Sequence, residues 1–323
     1  MRKMLNTVLE KFRPLARSIK YGRLLRRAEK DARAQPSTPL PHPVSFIVGC
    51  GRSGTTILGK LLAEHPDVRY LFEPYHLWRA IIPESDMILL YGETANPPHC
   101  ILDNTVVGED EVRRFNACMH AERSRAGNPH VALIEKTPIN AMRIPMLHAL
   151  SPESPLLHLV RNGIDVIRSI NRLASTNTYQ IRGKGEWNQW WGRDHCKWKA
   201  LAADAIAHEH FANEIEHVST NTEMGAIEWL ISLREIEKQR VALGRRLIDV
   251  RYNDLTSNPA IQLERICSHF DIPSNAAWLK HSSAKLDPAR KNKGEPVILP
   301  PKMCEAFNHF QQQYGFEGEA TCR

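Results

Sequence analysis

The stretch Val44-Ser-Phe-Ile-Val-Gly49-Cys-Gly51-Arg52-Ser53-Gly54-Thr55-Thr56 decides how the rest of the 323-residue chain is read. Residues 44–48 are apolar and mostly β-prone, which predicts a buried strand. Gly49 ends that run, and Gly51 and Gly54 let the backbone turn tightly and approach a ligand closely. From Thr55 onward Ile57, Leu58, Leu61 and Leu62 recur at helical spacing. The layout is strand, Gly-rich loop, helix N-terminus. Backbone N–H groups in such a loop converge on an anion and the helix dipole adds a favourable field, so a phosphate is the expected occupant. A Gly-rich turn that binds nothing is the alternative, but the strand, the internal Arg52 and the following helix favour the phosphate.

The spacing Gly49-x-x-x-x-Gly54-Thr55-Thr56 departs from the G-x-x-x-x-G-K-[ST] loop of nucleotide-hydrolysing proteins at one place. Thr55 stands where that loop has the lysine that reaches the β/γ-phosphates, which argues against ATP or GTP chemistry and against a small-molecule kinase. The cation comes from inside the loop, as Arg52. Further along, Leu156-Leu-His-Leu-Val160 predicts another buried strand, ended by Arg161 and followed by a helix that holds Ser169. A phosphate dianion suits a forked guanidinium and a hydroxyl donor. A structural salt bridge from Arg161 to Asp165 is the competing assignment.

Taken together these residues resemble the sulfotransferases that use 3′-phosphoadenosine-5′-phosphosulfate (PAPS). Arg52-Ser53-Gly54-Thr55-Thr56 matches their 5′-phosphosulfate loop, and Arg161 with Ser169 matches their 3′-phosphate motif. His65-Pro-Asp-Val-Arg-Tyr-Leu-Phe-Glu73-Pro74 is similar to the carbohydrate 6-O-sulfotransferases and, more loosely, the tyrosylprotein sulfotransferases. The resemblance runs in patches from about residue 44 to 275. It implies PAPS as co-substrate, its desulfated form PAP as product, no metal, and cofactor contacts from Gly51, Arg52, Ser53, Gly54, Thr55, Thr56, Arg161, Ser169 and Tyr252. Tyr252 enters through Val250-Arg-Tyr252-Asn-Asp254-Leu255, which resembles the family's Tyr-Glu-Asp-Leu segment except that Asn253 replaces the Glu. Arg290-Lys-Asn-Lys293-Gly294 differs by two inserted residues from the Arg-Lys-Gly element of cytosolic sulfotransferases, so a solvated charge run is the default there.

Transfer to a hydroxyl needs a group to take the acceptor proton. Glu73, between Phe72 and Pro74 at the end of an apolar run, is expected at the C-terminal edge of a second strand, where open parallel sheets bind ligands. The resemblance gives it the general-base role. Val131 to Ile134 predict a short third strand that Pro138 stops, with Lys136 near the same edge, and Lys-Thr-Pro resembles the catalytic-lysine segment of tyrosylprotein sulfotransferases. Lys136 and Arg52 would neutralise the leaving phosphate.

The expected fold is α/β: a P-loop-like, mostly parallel sheet flanked by helices, in a single domain over 44–323. Residues 1–34 hold eleven Lys or Arg against three acids, a balance of +8, so the rest of the chain carries −1 of the overall +7. Basicity therefore belongs to the tail, which argues against nucleic acid as partner. Leu5, Val8, Leu9, Phe12, Leu15 and Ile19 follow helical spacing with basic residues between them, predicting an amphipathic helix that contacts a membrane surface, packs on the body or serves as a mitochondrial-type presequence. The Pro-rich 35–43 reads as a linker.

Seven cysteines show no CxxC spacing and no paired framework, which suits a reducing compartment. No secretory signal and no apolar run near the ~20 residues of a membrane span are visible, so a cytoplasmic enzyme, peripheral on a membrane at most, is expected. The acceptor is expected to be a carbohydrate or glycolipid hydroxyl, with a tyrosine or small metabolite as alternatives. A membrane-associated nucleotide binder without catalysis is the alternative of another class. Four of seven tryptophans fall within Trp187–Trp198, either as sugar-stacking rings or as core anchors, and His195 among them is not assigned to catalysis.

Overall fold

The computed structural model describes residues 18–35, 40–86, 99–128, 130–176, 187–286 and 297–323. Residues 18–32 form helix α1. The 44–62 region folds as strand β1 (Ser45–Val48), a loop, and helix α2 (Thr55–Leu62), followed by β2 (Val68–Phe72) and α3 (Tyr75–Ile81). Next come α4 (Glu109–Arg125), β3 (Ala132–Lys136), α5 (Ile144–Leu150), β4 (Leu156–Val160) and α6 (Gly163–Ala174). A short hairpin, β5 (Trp187–Asn188) and β6 (Gly192–Arg193), precedes α7 (Cys196–Ala207), α8 (Ala212–Ile215) and the long α9 (Asn221–Leu243). The chain closes with β7 (Leu247–Arg251), α10 (Tyr252–Ser257), α11 (Pro259–His269), α12 (Ala276–Ser283), β8 (Val297–Leu299), α13 (Pro301–Gln313) and β9 (Ala320–Cys322).

Five strands form one parallel sheet in the order β2-β3-β1-β4-β7. The expected α/β architecture is therefore present. Strands buried on both faces read as unbroken apolar runs rather than alternating ones, as β1 and β4 do. Ile47, Ile134, Leu157 and Leu159 face Leu58 and Leu61 of α2, Leu263 and Ile266 of α11, and Trp278 of α12. On the other side Phe46, Val48, Leu133 and Leu156 pack with residues of α3, α4, α5 and α9. β1 lies at the centre, and the β3-to-β4 crossover passes it. The strand order reverses at β1, and the C-terminal end of such a strand is where open parallel sheets bind ligands.

Helix α1 docks by its apolar side: Ala28 and Ala32 are buried with Phe115, Cys118 and Met119 of α4. Asp31 pairs with Arg125, and Arg113 Nη1 donates to the Ala32 carbonyl at 2.9 Å. The remaining apolar positions of the predicted amphipathic helix, Leu5 to Leu15, lie outside the described residues, as do Arg290 and Lys293. Among the described residues no helix is long and apolar enough to cross a membrane.

Several expectations need correction. Cys304 and Cys322 are joined by a disulfide across a separation of 18 residues. Their spacing carries no signature, and only the packing of β9 on α13 brings them together, so the cysteines no longer point to a reducing compartment. The apolar pattern of 139–150 predicts one helix, but the segment is a 3₁₀ turn (Pro138–Met142) followed by α5. Buried Arg143 sits at the break and donates to the carbonyls of Cys100 (3.1 Å), Ser85 (3.0 Å) and His99 (2.6 Å). The alanine-rich pattern of 200–215 likewise predicts one helix, but it is split between α7 and α8 by Glu209 and Phe211, both at positive φ. Of the tryptophan cluster, Trp191 and Trp198 are core residues. Trp190 is only half-buried.

Candidate active site

All five parallel strands end at one edge, and each delivers a candidate side chain there: the 49–54 loop after β1, Glu73 after β2, Lys136 ending β3, Arg161 after β4 and Tyr252 after β7. Residues far apart in sequence meet because a parallel sheet aligns its C-terminal ends.

The loop is held by its neighbours. Gly54 caps α2 at φ 99°, a left-handed conformation that L side chains rarely adopt, and a Cβ there would lie 2.5 Å from the Tyr252 ring. A Cβ on Gly51 would lie 2.6 Å from the Trp190 indole. Glu228 fixes that indole by accepting from its Nε1 at 2.8 Å, and buried Lys197 in turn pairs with Glu228 at 2.8 Å. Gly54, the N-cap of α2, has no side chain to occupy the first N–H groups of the helix.

On one side of the loop, Lys136 Nζ donates to Glu73 Oε1 at 2.5 Å and to Thr56 Oγ1 of α2 at 3.2 Å. The ammonium has no exposed side-chain surface and lies 4.3 Å from the centre of the Phe72 ring, which is half exposed. Burial lowers the Lys136 pKa, partly countered by the Glu73 charge. The other Glu73 oxygen accepts from the Tyr75 hydroxyl at 2.5 Å. Glu73 itself adopts φ 41°, and its N–H donates to the Lys136 carbonyl at 2.9 Å, so β2 and β3 fix the pair from both main chains. Behind Lys136, buried Glu135 accepts from Trp78 Nε1 (2.9 Å), Thr137 Oγ1 (2.5 Å) and Asn140 Nδ2 (3.2 Å). Burial pushes its pKa up to about 7.

On the other side, Arg52 Nε donates to Ser169 Oγ at 3.0 Å, joining residues from the two separate phosphate motifs. The Arg161 guanidinium stacks 4.8 Å from the Tyr252 ring centre and donates to the Arg52 carbonyl and to Asp165, both at 3.3 Å. The salt bridge considered from sequence thus coexists with the site. Arg161 Nε is buried without an acceptor among the described residues. Glu73, Lys136 and Thr56 form one cluster and Arg52, Ser169, Arg161 and Tyr252 another, with the loop residues Gly51, Gly54 and the buried Ser53 and Thr55 between them. Sequence reasoning missed Tyr75, and it left Trp190 as either a sugar-stacking ring or a core anchor without placing it against the loop. A phenol two positions after the candidate base is the signal that could have found the first.

The Sulfotransferase family model matches residues 43–213, more than half of the chain. The chain belongs to the sulfotransferase family. The nodulation protein NoeE of Sinorhizobium fredii is 31% identical over 143 residues, 41% of this sulfotransferase-family chain and 32% of NoeE. Mouse carbohydrate sulfotransferase 7 is 54% identical over 39 residues, 12% of this chain and 8% of the mouse protein. The Drosophila melanogaster protein-tyrosine sulfotransferase is 22% identical over 277 residues, 84% of this chain and 47% of the fly protein. The matched stretches span less than half the length of each of these relatives.

Among solved structures, the sulfotransferase domain of the curacin biosynthetic pathway superposes with a TM-score of 0.53 at 16% identity, covering 87% of this chain and all of that domain. The sulfotransferase domain of the Synechococcus PCC 7002 olefin synthase gives 0.52 at 19% identity, covering 88% and 98%. At these identities the likeness is one of fold.

Proposed function

We propose that this chain moves a sulfuryl group from PAPS to an acceptor hydroxyl. The observation that carries the reading is the Glu73–Lys136–Thr56 chain of hydrogen bonds at the first turn of α2, beside a loop built for an anion. Arg52 and the α2 amides hold the 5′-phosphosulfate. Arg161, Ser169 and the stacked Tyr252 hold the 3′-phosphate side, and the acceptor-less Arg161 Nε fits a ligand oxygen. Glu73 takes the proton from the acceptor hydroxyl. The acceptor oxygen bonds to sulfur as the sulfur–oxygen bond to the phosphate breaks, and Lys136 with Arg52 stabilises the charge left on the departing PAP. Positioning and electrostatics carry most of such a transfer, as in phosphoryl transfer.

A sugar hydroxyl, free or on a glycolipid, is the acceptor class we favour. The short, high-identity match to carbohydrate sulfotransferase 7 and the half-exposed Phe72 and Trp190 rings beside the loop support it. Tyrosine is the second reading, supported by the long but weaker match to the fly enzyme.

Calorimetric titration with PAP, AMP and ATP tests the donor. PAP is expected to bind tightest, and Arg161→Ala to weaken it about ten- to a hundred-fold, the range for losing a charge-assisted contact. Equal affinity for ATP and PAP would remove the sulfotransferase reading in favour of a kinase or a nucleotide sensor.

We propose that the basic face of α1 contacts a membrane surface: Ala28 and Ala32 are docked on α4, while Lys20, Arg23, Arg26, Lys30 and Arg33 are exposed. An electrostatic contact with anionic lipid fits that face. Flotation with phosphatidylcholine vesicles, with and without phosphatidylglycerol, is expected to show binding only to the anionic set. The combined Arg23→Glu, Arg26→Glu and Lys30→Glu changes should weaken it about a hundred-fold. Equal binding to neutral vesicles, or no effect of the substitutions, would refute the contact.

A further inference from the structure

The turn that follows Arg161 is clamped by the C-terminal segment, which no motif connected with the site. Gln311 of α13 is buried, on a helix whose other buried residues include Met303, Phe307 and Phe310. Its Oε1 accepts from the Gly163 N–H at 3.0 Å. Its Nε2 faces three acceptors: Asn162 Oδ1 at 3.2 Å, the Gly318 carbonyl at 3.0 Å and, at 3.4 Å, the Glu317 carbonyl. Asn162 Nδ2 returns a bond to the Glu317 carbonyl at 2.7 Å, and Asn162 Oδ1 caps α6 by accepting from Ile164 N at 2.9 Å. The Arg161 carbonyl is held by Trp229 Nε1 at 3.2 Å. The Cys304–Cys322 disulfide and the two bonds between Asn308 and Ala320 keep the 315–322 strap on α13.

A polar amide at this buried place is costly unless its bonds are made, and an aliphatic side chain could fill the volume without that cost. What an aliphatic chain could not do is satisfy the first N–H of α6 and the Asn162 side chain together. We propose that Gln311 is a positioning residue for recognition of the donor's 3′-phosphate. It fixes the Asn162–Gly163 turn, and the turn sets where the Arg161 guanidinium points. Gln311 touches no ligand. It acts by keeping the backbone after Arg161 in the one conformation that leaves the guanidinium between Tyr252, Asp165 and the Arg52 carbonyl. Small displacements of such a group are expensive, because a misplacement of about 1 Å costs on the order of 10²-fold.

This inference rests on the reading of Arg161 as the 3′-phosphate ligand, and the test separates the two. PAP and AMP differ by the 3′-phosphate, so the ratio of their dissociation constants reports on that contact alone. In the full-length protein, Gln311→Leu is expected to cut the preference for PAP over AMP about ten-fold, the order of one well-aligned charge-assisted bond, with AMP affinity unchanged. Gln311→Glu keeps the size and the acceptor for Gly163 but loses the amide donor and adds negative charge near the phosphate. It should cut the preference at least as far, and it keeps the test open if the leucine variant folds poorly. A parallel loss of PAP and AMP affinity in the Gln311 variants, or no change in either, would overturn the positioning role. An unaltered protein that does not prefer PAP to AMP would overturn the donor reading itself, and this inference with it.

Discussion

Glu73→Gln is expected to slow sulfuryl transfer by about 10²–10⁴-fold, the usual contribution of a positioned general base, while PAP binds as before. The substitution keeps the shape of the side chain and an oxygen for Lys136, which donates to Oε1 at 2.5 Å. It removes the capacity to take a proton. The partners of the Glu73 carboxylate are Lys136 and Tyr75, whereas Arg52, Arg161 and Ser169 form a separate cluster. Donor binding should therefore survive. Initial rates and calorimetric PAP affinities on the same preparations check this. Turnover near the unaltered rate would show that another group takes the proton. A matching loss of PAP affinity would assign Glu73 to the donor rather than the acceptor.

The part of this site that was legible in the sequence is the part fixed by strand ends. A mostly apolar, β-prone run closed by Gly, Glu, Lys or Arg marks a parallel strand together with the residue at its C-terminal end. β1, β2 and β4 lie where 44–48, 68–72 and 156–160 indicated, and β3 covers the expected 131–134 from Ala132 and runs on to Lys136. Parallel alignment then brings Arg52, Glu73, Lys136 and Arg161 to one edge without further information. What stayed hidden depends on loops that return from elsewhere. Trp190 reaches Gly51 only because Glu228 and Lys197 anchor its indole, and neither residue has a spacing that announces it. Tyr75 turns its hydroxyl onto Glu73 because Glu73 takes a positive φ, which no glycine or asparagine signals. Arg143 interrupts a regular helical periodicity because its buried guanidinium serves three carbonyls from distant segments, an instance of tertiary demand overriding local pattern. Gln311 lies in a helix readable only as amphipathic, yet it satisfies the α6 N-terminus.

Lys136→Met is expected to lower turnover by about 10²–10³-fold, the scale of removing one preorganised group that meets developing charge. The pH dependence separates this role from a structural one. Burial lowers the Lys136 pKa below the ordinary lysine value of 10.5, with the Glu73 charge opposing the shift. If the ammonium is needed in the transition state, activity should begin to fall on the alkaline side below 10.5. Stability should move the other way through the same window. Between the lowered folded value and 10.5 the unfolded chain binds more protons at this lysine than the folded one, so this group's contribution to folding improves as pH rises. An alkaline loss of rate with an undiminished melting temperature would identify titration at the site rather than unfolding. In Lys136→Met the residual rate should lose that limb, because the group that titrates is gone. Among the described residues the Glu73 carboxylate would then keep the Tyr75 hydroxyl, and its 22% side-chain exposure lets water replace the missing partner, so the fold should tolerate the change. A residual activity with the same alkaline limb as the unaltered protein would mean that another cation meets the leaving phosphate, with Arg52 the next to test.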